Sequence, residues 1–298
     1  MTNNNSKFSQ KKKEPKHFTV TEENELLKFL YQNIGKNTKT KALLKNKLIK
    51  VNDKIITQYN HKLEANDKVE VNFEKISDSK SFRDFSIIYE DEHIIVIDKH
   101  AGLLSIASAK DNKNTAYRLL SNHVKMQDPK NLIFIVHRLD RDTSGLMMFA
   151  KNEQVKEILQ RNWHDLVTER IYIALVEGKP EPWSGDITSY LYESKALIVH
   201  SSQNPEKGQL ATTHYKVLKG NKEYTLLKVW LDTGRKNQIR VHLKDLGFPI
   251  IGDKKYGSTL DLIGRLGLHA WILNFEHPIT GEKLEFKTAI PRKFTRVV

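Results

Sequence analysis

His137-Arg138-Leu139-Asp140-Arg141-Asp142-Thr143-Ser144-Gly145 sets one carboxylate, Asp140, among arginines and closes on a Thr-Ser-Gly turn. One apolar run, residues 133–136, leads into this stretch, and a second, residues 146–150, leads out of it. The pattern predicts a strand, a charged loop and a returning strand. A carboxylate withdrawn from water needs cationic or N–H partners to stay ionised. A nucleophilic or general-base aspartate needs the same setting. On composition alone the loop fits either such a site or a structural Arg–Asp pair that closes a hairpin. Asp142 reads as a turn residue capping Ser144 and Gly145. His137, directly after the first strand, reads as a structural hydrogen-bonding group. Ser144 lacks the Gly-x-Ser-x-Gly elbow of serine hydrolases.

The nine residues fit His-Arg-Leu-Asp-x-x-Thr-Ser-Gly, and so resemble the catalytic motif of the large-subunit, or RluA-type, pseudouridine synthases. Further along, Thr233-Gly234-Arg235-Lys236-Asn237-Gln238-Ile239-Arg240-Val241-His242 resembles that family's Thr-Gly-Arg-x-x-Gln-Ile-Arg-x-His, in the same order and at a similar spacing. Between them, Glu169-Arg170-Ile171-Tyr172-Ile173-Ala174 resembles the segment that carries an active-site tyrosine. Residues 87–104, with Tyr89-Glu90-Asp91-Glu92 and Lys99-His100-Ala101-Gly102, resemble the segment that opens the catalytic domain. The resemblance covers residues 86–298. Asn237 departs from it, standing where the family often has histidine. Ser105-Ile106-Ala107-Ser108 also differs from the usual ending of its segment.

Pseudouridine formation breaks the N1–C1′ bond of a uridine in RNA, turns the uracil and rejoins it through C5. The reaction is redox-neutral, so the resemblance implies no cofactor, no metal and no nucleotide triphosphate. It implies that Asp140 is the carboxylate beside the ribose. Attack at C1′ and removal of the C2′ proton both remain open to it. Arg240 would pair with Asp140 and keep it ionised and aimed, because an opposite charge nearby favours the charged form. Tyr172 would stack on the uracil and help remove the C5 proton. Arg138 and Arg235 would anchor loops or contact phosphate. The competing class is a catalytically silent RNA-binding or ribosome-assembly protein on the same fold. Against it, a silent relative has no chemical reason to keep Asp140, Arg240 and Tyr172 together.

Composition agrees with a polyanionic partner. The 298 residues carry a net charge of +13 and a pI of about 9.5, which favours nucleic acid over an anionic membrane surface. No run approaches the ~18 apolar residues of a membrane span, and the Lys-rich start has no apolar signal region. Without cysteine there are no disulfides, thiolate metal sites or thiol nucleophiles. The Gly-x4-Gly-Lys-Ser/Thr, Gly-x-Gly-x-x-Gly and His-Glu-x-x-His motifs are absent, which disfavours nucleotide hydrolysis, dinucleotide redox chemistry and zinc hydrolysis. The expectation is a cytoplasmic monomer whose partner is RNA.

Residues 1–17 read as a basic disordered tail. Residues 18–74 show a helix ended by Gly35, a second helical pattern over residues 40–48, a hairpin around Asn52 and a further strand near residue 69. This order resembles the S4 RNA-binding module. Lys36, Lys39, Lys41, Lys45, Lys47 and Lys50 fall within fifteen residues that hold no acid. A phosphate backbone would relieve their mutual repulsion. Lysine lacks the planar fork of arginine, so such a module would position RNA rather than read bases. Residues 75–85 read as a polar linker. Beyond them, strands alternate with helices expected over residues 114–124, 154–163 and 238–246. The fold class is therefore α+β: a small S4-like domain, then a catalytic domain, residues 86–298, with a mixed, largely antiparallel sheet. Large-subunit ribosomal RNA is the expected substrate, because S4-bearing members tend to act there, with transfer RNA the alternative.

Overall fold

A computed structural model describes residues 15–35, 38–45, 48–52, 54–72, 81–82, 84–107 and 114–298. The chain divides into two compact units, residues 1–78 and 79–298. In the first, β1 (Lys16–Thr19), β2 (Asn24–Glu25), α1 (Leu26–Ile34), α2 (Thr38–Lys45), β3 (Ile49–Val51), β4 (Lys54–Ile55), β5 (Lys62–Leu63) and β6 (Lys68–Val71) follow in order. An antiparallel sheet runs β1-β6-β3-β4, and β2 pairs with β5. Leu26 and Leu30, one helical turn apart, bury against Leu44, Ile49, Val69 and Val71 in one core. The helix expected over residues 40–48 instead occupies Thr38–Lys45. Ile49 is committed to pairing with Val71, so the chain must leave the helix before it. Lys36 and Lys47 lie outside the described residues, as do the side chains of Lys39 and Lys45; Lys41 is exposed. Lys50, the last of the six lysines, pairs with Glu70 at 3.1 Å.

The second unit holds β7 (Ser81–Phe82), β8 (Phe85–Glu90), β9 (Ile94–Lys99), α3 (Ala116–Gln127), β10 (Phe134–Ile135), β11 (Ser144–Ala150), α4 (Glu153–Arg161), α5 (Trp163–Leu166) and β12 (Val167–Glu177). Then come β13 (Ser184–Glu193), β14 (Val199–Ser202), β15 (Gln209–Gly220), β16 (Tyr224–Leu231), α6 (Gln238–Asp245), β17 (Leu268–Glu276), β18 (Lys283–Lys287) and α7 (Arg292–Thr295). One sheet runs β14-β13-β15-β16-β12-β17-β11-β9-β8-β7, with β10 on β11 and β18 on β17. Among the described strands only β11 and β17 pair in parallel.

The apolar runs of β9 and β11 are continuous because both faces of the sheet are covered. Ile95, Ile97, Met147 and Phe149 pack against Leu120 and Val124 of α3. The alternate residues Ile94, Val96, Leu146 and Met148 pack against Val155 and Leu159 of α4. Thr115 and Asn152 cap these helices, accepting from the Arg118 and Val155 N–H groups at 3.1 and 2.8 Å. A single helix was expected over residues 154–163. The structure ends it at Arg161, with Asn162 as C-cap, and starts the short α5 at Trp163. On the other half of the sheet, Ile239 and Leu243 of α6 bury against Ala174, Val176, Leu227 and Val229. These layers fix two things for the site: the loop between β10 and β11, and the start of α6.

Candidate active site

A cleft of about 870 Å³ opens where that loop meets α6 and β12. Its walls include Arg138, Asp140, Tyr172, Arg235, Asn237 and Arg240. Asp140 lies in the loop between paired strands, with Phe134 opposite Ala150 and Ile135 opposite Phe149. The residues on either side of Asp140 are held. Leu139 is buried, and its N–H and C=O both bond the Ser105 hydroxyl, at 3.2 and 2.6 Å. The Arg141 carbonyl accepts from Lys99 Nζ and from the Gly102 N–H, each at 2.9 Å. Asp140 itself keeps 29% of its side chain exposed.

Lys99 is fully buried and gives its ammonium to three carbonyls, those of His100, Leu103 and Arg141, at 3.1, 2.8 and 2.9 Å. Three acceptors match three N–H donors. Burial pushes Lys99 down to about 7, against the pull of Asp142 and Asp140. His137 serves the fold as expected: its Nε2 accepts the Met148 N–H at 3.0 Å, and burial lowers it to about 3, so it stays neutral. Asp142 differs from expectation. Among the described residues it makes no cap to Ser144 or Gly145. It instead acts through its charge on Lys99 and Arg265. The Ser144 hydroxyl is taken by His269 Nδ1 and Arg265 Nη2, both at 2.7 Å.

Gly145 ends the loop with φ +111°, and a Cβ there would lie 2.1 Å from the Ala270 carbonyl oxygen. Only glycine lets β11 meet β17 at this point.

The second motif is mostly wiring. Gln238 gives its amide to Thr212 O and Thr213 Oγ1 at 2.9 and 3.0 Å and accepts from the Arg235 N–H at 3.0 Å. His242 is buried between Ser189 and Thr213, and burial lowers it to about 4. These bonds seat α6 on β15 and β13 and aim Arg240 into the cleft. Arg240 Nη1 donates to Asp140 Oδ2 at 3.3 Å and to Asn237 Oδ1 at 3.1 Å. Asn237, at φ +54°, passes its own amide N–H to the Tyr256 hydroxyl at 2.9 Å. The opposite edge of the guanidinium forks onto Asp253, 2% exposed, through Nε at 2.7 Å and Nη2 at 2.8 Å. Burial works against the Arg240 charge, but Asp253 and then Asp140 outweigh it and raise Arg240 well above its ordinary range.

Tyr172 is half-buried on β12, where burial raises its hydroxyl and the Asp140 charge adds to the effect. Arg138 and Arg235 are exposed on the rim, with Arg235 Nε bonded to Leu210 O at 3.2 Å. Sequence reasoning missed Asp253 and Lys99 as parts of the site, and it singled out the Ser105 segment without the bonds Ser105 makes to Leu139. No local pattern marks Asp253, which only the fold brings back beside Arg240. Lys99 carried a signal, as a lysine between an apolar strand and a turn.

The RNA pseudouridylate synthase family model matches residues 93–245. The chain is 33% identical over 275 residues to the uncharacterized RNA pseudouridine synthase YlyB of Bacillus subtilis, covering 90% of each protein. It is 35% identical over 230 residues to the ribosomal large subunit pseudouridine synthase D of Pseudomonas aeruginosa, covering 71% of this chain and 70% of that one. The solved structure of human RNA pseudouridylate synthase domain containing 4 matches with a TM-score of 0.58 and 25% identity, over 71% of this chain and 90% of that one. The chain belongs to the RNA pseudouridylate synthase family, within its RluA branch. It is an RNA pseudouridine synthase.

Proposed function

We propose that this enzyme converts specific uridines of large-subunit ribosomal RNA to pseudouridine, with Asp140 as the carboxylate that acts at the ribose. The observation that carries the reading is the state of Asp140. It is fixed by its backbone, part-exposed in a cleft and joined to Arg240 by one hydrogen bond of 3.3 Å. Such a group is aimed, yet one of its oxygens accepts no hydrogen bond from the described residues and can meet the substrate. Tyr172 lies under the uracil and assists loss of the C5 proton. Arg138 and Arg235 meet phosphate at the rim, where both are exposed. The chemistry is a redox-neutral isomerisation, and in this reading Asp140, Arg240 and Tyr172 carry it without a cofactor or metal. The volume of the cleft suits a flipped-out nucleotide with part of its neighbours.

The ribosomal substrate is supported by relatives named as ribosomal large subunit pseudouridine synthase D. The first unit, read over residues 18–74, is the S4-like RNA-binding domain, and its lysines, Lys36, Lys39, Lys41, Lys45 and Lys47, hold the phosphate backbone. Residues 1–17 are read as a basic tail; of the linker read over residues 75–85, β7 and Phe85 already belong to the catalytic sheet, so the catalytic part starts a few residues before the expected residue 86. A monomer suffices, because Asp140, Tyr172 and Arg240 of one chain line one cleft, and we place its activity in the cytoplasm with the RNA it modifies. The test is pseudouridine mapping of total RNA from cells with and without the gene. One or a few large-subunit sites should vanish in its absence. Loss confined to transfer RNA would overturn the substrate, and loss nowhere would overturn the function.

A further inference from the structure

Two carboxylates share the Arg240 guanidinium, and they share it unequally. Asp253 takes two parallel bonds at 2.7 and 2.8 Å, whereas Asp140 takes one at 3.3 Å. Fork-to-fork pairs of this kind are the stronger and more directional ones. Asp253 does not line the cleft and is 2% exposed. Its turn is tightly built. Gly252, at φ +78°, would place a Cβ 2.3 Å from the Arg265 carbonyl oxygen, and the Tyr256 N–H donates back to Asp253 at 3.3 Å. Among the described residues only Arg240 hydrogen-bonds the Asp140 side chain. Other charge reaches Asp140 through space, from Lys99 on β9 and from Lys255 beside Tyr256. Arg138 and Arg141 flank it in its own loop, and Tyr172 faces it from β12.

We propose that Asp253 is a positioning residue of the reaction: it anchors Arg240 from outside the substrate space and takes the larger share of its charge, leaving Asp140 lightly held and free to move onto the ribose. A carboxylate forked onto arginine has both oxygens committed and must first break charge-assisted bonds. With Asp253 in place, Asp140 avoids that state. Arg240 still gives Asp140 a direction, and Asn237 steadies Nη1 beside it at 3.1 Å. The inference rests on the reading of Asp140 as the reacting carboxylate.

Asp253→Asn separates this role from a merely structural one. Asparagine turns an amide toward a guanidinium that has only donors, so Arg240 should swing onto Asp140. The acid limb of the single-turnover rate against pH should then move down by about one unit, because a closer cation and a lost anion both favour the ionised carboxylate. The plateau rate should fall about tenfold, while RNA affinity stays within a few-fold. Asp253→Glu, which restores the charge, should return the limb toward its parental position. If Asp253 merely held its turn, losing it would release Arg240 from the site, and the limb would move up or stay. Either result overturns the proposal.

A second measurement does not depend on an Asp253 variant folding. The Arg240 Nε–H resonance should remain slowly exchanging in Asp140→Asn, because Asp253 holds that edge. Its collapse to solvent-like exchange would show Asp140 to be the anchor and overturn the proposal. A parental protein that forms no pseudouridine would instead overturn the functional reading, and the resonance would still test the hold of Asp253 on Arg240.

Discussion

At the scale of single residues, the site depends on charges that cannot be exchanged for shapes. Asp140→Asn keeps the volume and removes the charge. Release of tritium from C5-labelled uridine in RNA should fall to background while RNA binding holds within a few-fold; turnover near the parental rate would sink the assignment. Arg240→Ala is the harsher change, since it strands two carboxylates, one of them the buried Asp253. Leaving a buried charge unpaired costs about 3–5 kcal/mol. The variant should therefore lose both stability in a denaturant titration and well over tenfold in rate, at ~1.4 kcal/mol per decade. Arg240→Lys should recover only part, because one ammonium cannot fork onto Asp253 and still reach Asp140. The Asp140–Arg240 pair was legible because each residue sits in a dense local motif. Asp253 was not, because nothing in its neighbourhood in sequence records that a turn thirteen residues later folds back beside Arg240.

At the scale of elements, apolar runs and turn residues gave most of the strands and helices, and the misses have physical causes. The β9 and β11 runs are apolar on both faces, so their strand character showed, and the helices near residues 114–124 and 154–163 showed too, but not which helix covers which face. Helix ends shifted where pairing elsewhere claimed the chain, as at Ile49. Ion pairs between elements were equally hidden. Glu90, at the end of β8, accepts from His123 and Gln127 of α3, each at 2.8 Å, and from Lys151 at 3.3 Å. Burial raises this carboxyl, but the His123 and Gln127 bonds and the nearby charges outweigh it and hold Glu90 at about 2, against an ordinary value of 4.5. The folded value is the lower one, so the stabilisation is complete above about pH 4.5 and is lost as pH falls through about 2. It amounts to up to about 3 kcal/mol. Glu90→Gln should lower the melting temperature at pH 6, and its gap to the parental protein should close between pH 4.5 and 2. A gap independent of pH would mean that shape, not charge, ties α3 to β8.

At the scale of the whole molecule, two units have separate cores, and the proposed function expects separable contributions from them. Deleting residues 1–80 should leave a cooperatively folding protein, since no residue of the first core is needed to fill the second. That protein should reach the parental rate at saturating RNA but need more RNA to do so. The net charge of +13 says only that a polyanion is attracted; it does not say which unit holds it. A salt series on the intact chain does. Binding to a phosphate backbone releases counterions, and each lost contact flattens the plot of log affinity against log salt by roughly 0.7 to 0.9. If these lysines hold the backbone as proposed, changing Lys36, Lys39, Lys41, Lys45 and Lys47 to Gln removes up to five such contacts. Affinity at low salt should fall steeply, the slope should flatten by several contacts, and the single-turnover rate at saturation should stay unchanged. Lys50→Gln should do less, because that lysine already spends its charge on Glu70. If the five-fold variant keeps the parental slope, these lysines are solvated surface, and the rim arginines of the catalytic unit carry the RNA alone.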